Sequence, residues 1–394
     1  MTTPGRQDRR ELPIGRRVAQ LRARRGMSQQ VLADRVGRSK SWVDKVERGV
    51  RTLDRLSVIE TVAAALGVAP GVLVGRAARR TPTTDATTAV ERIRVALACY
   101  DPTDRDQPPP AADLDRQIGY AWTAYRHAHH SQVLRMVPDL LTATRDVDRP
   151  DAGLLVRVYQ LTAQMLVKLG EPHLAWLAAD RAMTAAAGQP RRTALAAVPL
   201  AQALRALGRG GLAMAVATTA VRAIEAVPAR VSVPDDLALA ATLLTEAALA
   251  AASCGDGTAT DDLTERAAGC AARHPDDGSG CGSIVVDLAR ALAAVRLGDN
   301  HLAVALHQRA ASGDAWQRLP AEHRAAHLID MTRAHLDLGD HRAAGRALVT
   351  ADRIAPAEVR LRPVAHAALA AVLRAGPTSV DLTRLASTVG LTRP

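Results

Sequence analysis

The chain has 394 residues, 48% of them apolar, with 51 basic side chains against 40 acidic ones. That length suits two or three domains, and 27 Gly with 21 Pro exclude collagen-like repeats and wholesale disorder. Four Trp, four Tyr and no Phe leave Ala, Leu and Val to build the cores, and 80 alanines favour helix over strand. The composition implies an all-α protein.

Charge is distributed unevenly. Residues 1–80 carry 16 Arg and 2 Lys against 7 acidic side chains, a net +11, and the remaining 314 residues carry 33 of each sign. A compact segment this basic points to a polyanion partner, nucleic acid ahead of a membrane surface. Cys99, Cys254, Cys270 and Cys281 form no C-x-x-C pair. The opening MTTPGRQDRRELPIGRR has no apolar core of a signal peptide. The most apolar stretch, Leu237–Ala252, is broken by Thr242, Thr245 and Glu246 and reads as a buried helix. These features lead us to expect a cytoplasmic protein with reduced thiols and no membrane partner.

In chain order, residues 1–11 read as a flexible basic arm containing Arg6, Arg9 and Arg10. Residues 12–74 read as a bundle of five short helices. Ile14, Val18 and Leu21 recur at helical spacing, and Gly26 closes that helix. Ser28 caps Gln29–Val36, Gly37 supplies a tight corner, and Ser39 caps Lys40–Arg48, which Gly49 stops. A fourth helix spans about 53–66, and Pro70 opens a last short one ending near Leu73. Two short helices joined by a Gly-containing turn are the requirement for a helix-turn-helix. In the third helix Val43 and Val46 point inward, and Lys40, Ser41, Asp44 and Lys45 share the other side.

The S-Q-x-x-L-A run at Ser28–Ala33, Gly37, the helix S-K-S-W-V-D-K-V and the closing Glu47-Arg48-Gly49 resemble the lambda-repressor/Cro-like, or XRE, group of DNA-binding domains. The resemblance implies that the third helix enters the major groove of double-stranded DNA. It further implies that Lys40, Ser41 and Lys45 face base edges, that Gln29, Arg48 and Arg51 contact phosphates, and that Arg22 and Glu47 form a buried ion pair. Trp42 departs from the small polar residue of some members and is expected to pack.

Residues 75–112 read as a linker carrying one helix, Ala86–Tyr100, ended by turn residues and Pro108-Pro109-Pro110. Beyond it a repeat emerges. Helix-bend residues fall at Ser131, Gly170, Gly208, Gly255, Gly298 and Gly339. Seven before, five after and twelve after the five glycines stand Ala163, Ala175, Ala182; Ala201, Ala213, Ala220; Ala248, Thr260, Ala267; Ala291, Ala303, Ala310; and Thr332, Ala344, Ala351. Small side chains at those offsets are what two crossing antiparallel helices need. The first unit fits more loosely, with Ala124, Met136 and Ala143 around Ser131. The pattern resembles tetratricopeptide (TPR) repeats, with units several residues longer than that family's. Residues 113–394 are therefore expected to form an α-solenoid of TPR-like hairpins, capped by a helix or two within Val364–Leu391. The resemblance implies a groove lined by first helices, for which Tyr125, Gln164, Lys168, Gln202, Arg205 and Arg333 are candidates, with Leu249 and Leu292 at equivalent positions.

No catalytic, phosphate-loop or metal pattern accompanies these features. Glu322 precedes His323 and His327 instead of lying between them, and the cysteine spacings match no zinc pattern. We expect no enzyme and no cofactor. The whole resembles Gram-positive quorum-sensing regulators that join this DNA-binding family to TPR sensors, and actinobacterial regulators of the same layout. The expectation is a homodimeric transcription regulator answering a peptide or small-molecule effector. The alternative is an interaction scaffold in which DNA binding is secondary.

Overall fold

The structure, a computed structural model, describes residues 14–51, 53, 56–66, 68, 82–99, 110–146, 151–226, 234–273, 282–376 and 379–391. Among them are 21 helices and no strand. The chain divides into two compact units, residues 1–80 and 81–394.

In the first unit, α1 (Ile14–Arg24), α2 (Gln29–Val36), α3 (Lys40–Glu47) and α4 (Leu56–Ala65) enclose Val18, Leu32, Val43, Val46, Ile59 and Val62. Ser28 and Ser39 cap α2 and α3, their hydroxyls accepting from Val31 N and Trp42 N at 3.2 Å each. Gly37 ends α2 at φ 63°, the left-handed conformation that a side chain resists. Gly15 answers a different demand: a Cβ there would lie 1.9 Å from the Val46 carbonyl oxygen, so α1 crosses α3 with no room for a methyl group. The basic arm at 1–11 and the fifth helix expected at Pro70–Leu73 lie outside the described residues.

The helix expected within a linker is α5 (Pro82–Ala98), and it belongs to the second unit's core. Ile93 and Leu97 are buried in one cluster with Leu134, Val137 and Leu141. The Arg145 guanidinium donates to Ala96 O at 2.8 Å, holding the helix end. The linker reading is thus corrected for residues 82–98, residues 75–81 and 100–109 lying outside the described residues. An apolar face on that helix demanded a partner, and the first repeat supplies it.

Five further hairpins follow the first, which is α6 (Ala111–Arg126) with α7 (His130–Asp146). They are α8 (Ala152–Lys168) with α9 (Pro172–Ala186), α10 (Pro190–Ala206) with α11 (Gly210–Glu225), and α12 (Pro234–Ser253) with α13 (Gly257–Ala272). After these come α14 (Ser283–Leu297) with α15 (Asn300–Ala311), the short α16 (Asp314–Arg318), and α17 (Ala321–Asp337) with α18 (His341–Ile354). The unit ends in α19 (Pro356–Leu361), α20 (Pro363–Arg374) and α21 (Val380–Thr388).

All fifteen small-residue positions of the repeat are buried, none more than 9% exposed. The five bend glycines have φ between 71° and 87°. The first bend lies at Ala128, φ 58°, and Ser131 sits in the first turn of α7. Counted from Ala128, the same three offsets hold Ala121, Val133 and Leu140, all buried. The repeat therefore starts in register, three residues earlier than a bend at Ser131 implied. Helix α12 is long and apolar enough to cross a membrane by composition, and it is mostly buried among its neighbouring helices.

The last helices of this unit return to the first. Helix α19 packs against α5 and α7, and α17 against α6. Leu361 joins the cluster of Leu134 and Leu161, and the Gly170 bend lies against Pro363.

Beside these packed ends, His307 Nδ1 and His327 Nε2 approach to 3.1 Å, and the Trp316 ring stands edge-on to both imidazoles. His327 is only 2% exposed. Burial, then the charge of neighbouring imidazoles, pushes both below the ordinary value of 6.5, and His327 well below it. The unfolded chain binds these protons near 6.5 and the folded chain does not, so folding weakens as pH falls below that point. The urea midpoint should drop between pH 7 and about 5, a window above most carboxylate titration. His327→Gln should flatten that slope, and a wild-type midpoint constant across the window would contradict the buried neutral pair.

Candidate nucleic-acid interface and ligand groove

Helix α3 has two chemically distinct sides. Val43 and Val46 are 1% exposed, and Lys40, Ser41 and Lys45 stand in solvent on the far side. Just past the helix, Arg48 and Arg51 are exposed as well. Arg48 lies 2.5 Å from Asp44 in an exposed pair. Such a pair is worth only about 0.3–0.5 kcal/mol, so it yields readily to a phosphate. Trp42 packs half-buried on the bundle core, with the Arg38 guanidinium 5.8 Å above its ring.

A buried carboxylate holds this helix in place. Glu47, 6% exposed, accepts from Arg22 Nε at 2.6 Å and Arg22 Nη2 at 3.0 Å, and Arg22 Nη1 donates to Met27 O at 2.7 Å. The Glu47 hydrogen bond raises the Arg22 guanidinium above its ordinary value against the opposing effect of burial. The fork ties the end of α1 to the end of α3 and to the turn before α2. Gln29, expected on a phosphate, donates instead from Nε2 to Glu47 Oε2 at 2.9 Å. Its side chain is turned inward to complete the carboxylate's partners, leaving one amide hydrogen for a phosphate.

The six groove candidates do not line one open surface. Tyr125 and Lys168 lie in a buried charge network, with Lys168 Nζ 5.6 Å above the Tyr125 ring. Lys168 Nζ sits 2.5 Å from Glu322 and 2.8 Å from Glu358. Glu358, fully buried, also meets His130 Nε2 at 2.5 Å and Arg362 at 3.3 Å, and Arg362 reaches Asp330 at 3.0 Å. Burial opposes the charge on Lys168, but the two glutamates outweigh it and raise its affinity for the proton. Burial likewise opposes the charge on Glu358, but Lys168, His130 and Arg362 hold it well below the carboxylate range. This network fastens α8 and α7 to α17, α19 and α20, the packed ends of the unit.

Gln202 and Arg205 form a second cluster, each donating at 2.7 Å to the largely buried Glu246 on α12. Gln164 is half-buried on α8 and belongs to neither cluster. Arg333 is exposed, 3.5 Å from Asp337, and lines a cavity of about 590 Å³ together with Leu292, Arg296 and Val364. Arg296 escaped the repeat-based choice, although it stands two residues before its bend glycine, as Lys168 does. Glu246, Glu322 and Glu358 carried no local signal.

A family model described as a helix-turn-helix domain matches residues 13–77, and the N-terminal unit is such a domain. No curated protein matches the chain. Among solved structures the chain is similar to Bacillus thuringiensis PlcR in complex with the peptide PapR7 and DNA. That similarity has 11% identity and a TM-score of 0.34, covering 86% of this chain and 93% of that one.

Removing the pin should loosen the first unit. Glu47→Ala leaves Arg22 and Gln29 without their acceptor and should cost about 3 kcal/mol of that unit's stability in urea unfolding. Gly15→Ala should also destabilise it, because the clashing atom is backbone and cannot swing away. Wild-type unfolding of both variants would contradict the close crossing and its pin.

Proposed function

We propose that this chain is a sequence-specific transcription regulator of the XRE type, acting in the cytoplasm. Its helix-turn-helix reads the major groove of double-stranded DNA. One observation carries the reading: Lys40, Ser41 and Lys45 are exposed along one side of α3, within the first 80 residues, whose net charge of +11 equals that of the whole chain. Lysine at a groove-facing position suits guanine O6 and N7, and arginines past the helix end suit phosphates, which fix register without reading sequence. The Glu47 pin supports this use, because a recognition helix discriminates bases only if its angle to the bundle is fixed.

The second unit, with a TPR-like repeat, is the sensor and the dimer contact. It takes a peptide or small-molecule effector and performs no catalysis. A homodimer places two recognition helices about 34 Å apart, one turn of duplex. An effector shifts that spacing only as far as it binds one arrangement of the helices better than another.

Fluorescence anisotropy with a selected duplex tests the assignment. Lys40→Ala and Lys45→Ala should each cost about 1–3 kcal/mol on that site and narrow its margin over scrambled DNA. Arg51→Ala should weaken all duplexes alike and lower the salt slope by about 1. Unchanged affinity and selectivity in the Lys40→Ala, Lys45→Ala double variant would refute readout by α3 and favour a scaffold whose DNA binding is secondary.

A further inference from the structure

We propose that the cavity between α12, α14, α17 and α20 binds a carboxylate carried on an apolar body, with the Arg296 guanidinium as its counter-ion. The inference rests on the reading of this unit as a sensor and names the chemistry it senses.

Four cations on or near the helices that border this cavity have acidic partners. Arg205 has Glu246, Arg333 has Asp337, Arg362 has Asp330 and Glu358, and Lys168 has Glu322 and Glu358. Arg296 differs. Its one hydrogen bond runs to Leu292 O in its own helix at 3.2 Å, and among the described residues it forms no ion pair. Its side chain is exposed, yet it stands within a concavity bounded by other helices. Surrounding protein, and then Arg205, push this guanidinium down to about 10, with Asp330 and Glu246 opposing. The negative charge of an arriving anion offsets both effects.

The rest of the cavity selects the kind of anion. Its volume of about 590 Å³ falls within the range of small-molecule sites. Leu292, Val295 and Leu336 are half-buried around it, and Val364 is 49% exposed at its edge. Such walls offer an apolar body a surface to cover. Asp330 and Asp337 also line the cavity, each beside an arginine, so a dianion meets about twice the repulsion that a monoanion does. A planar guanidinium fork matches the two oxygens of one carboxylate. That carboxylate has two sources: a small organic acid, or the free C-terminus of a short apolar peptide.

Isothermal titration calorimetry on the full chain, without DNA, tests this with four probes. They are decanoate, decanol, the tripeptide Leu-Val-Leu with a free C-terminus, and the same tripeptide amidated. At least one carboxylate probe should bind with Kd below about 1 mM, and its uncharged counterpart at least tenfold more weakly. Which carboxylate wins identifies the source. Arg296→Gln should weaken the bound carboxylate at least tenfold with the thermal midpoint unchanged. Val364→Glu, a change at an exposed edge, should do the same by adding a like charge, and it decides the matter if Arg296→Gln fails to fold. Absence of heat with both carboxylates, equal binding of the uncharged probes, or indifference to the variants overturns the proposal. Duplex affinity measured on the same preparation keeps the two ideas apart. Intact DNA binding with a silent cavity removes only the carboxylate site, and failed DNA binding removes the regulator reading while calorimetry still judges the cavity.

Discussion

Close approach of helix backbones is the constraint on which both units are built. In the first unit it is absolute at one place, where Gly15 faces the Val46 carbonyl. In the second it recurs at fifteen positions held by thirteen alanines and two threonines, all buried. A chain with no Phe and only eight Trp and Tyr has few large rings for its cores, so it brings helices together until backbone and methyl groups touch. Each such contact is weak, and its value comes from number. A larger side chain at one of them overpacks the crossing, at a cost of about 1–3 kcal/mol.

Small-residue packing leaves orientation to other interactions, and buried charge supplies it. Glu47 receives three donors and fixes α3 against α1. Glu358 receives Lys168, His130 and Arg362 and fixes the last helices of the second unit against its first. Networks of this kind add little net stability over an apolar filling, but breaking one is costly, so they specify a single arrangement. Lys40, Lys45 and Arg51 of the first unit, by contrast, are exposed.

Much of the fold was legible because its determinants are local. Ser28 and Ser39 as caps, Gly37 as a corner, and the bend glycines with their flanking alanines all act within a few residues of themselves. The first bend was displaced because an alanine, Ala128, adopts a positive φ that its residue type does not announce. The candidate interface was legible wherever the helix period alone assigns a face, as for Lys40 and Lys45. Gln29 was not, because its partner Glu47 lies 18 residues away. The groove was the least legible part. Lys168 and Glu358 are 190 residues apart, and no periodicity reports that the ends of the hairpin stack meet. Helix α5 packs mainly on the first repeat, a contact that a helix followed by a proline run does not announce in its own sequence.

We propose that α3, pinned by Glu47, reads a defined sequence, and selection of binders from a pool of random duplexes by the purified chain decides whether it does. One motif should be enriched, arranged as two half-sites about 10–10.5 base pairs apart centre to centre. A pool that emerges with no enriched sequence at an ionic strength where the protein retains DNA would contradict it.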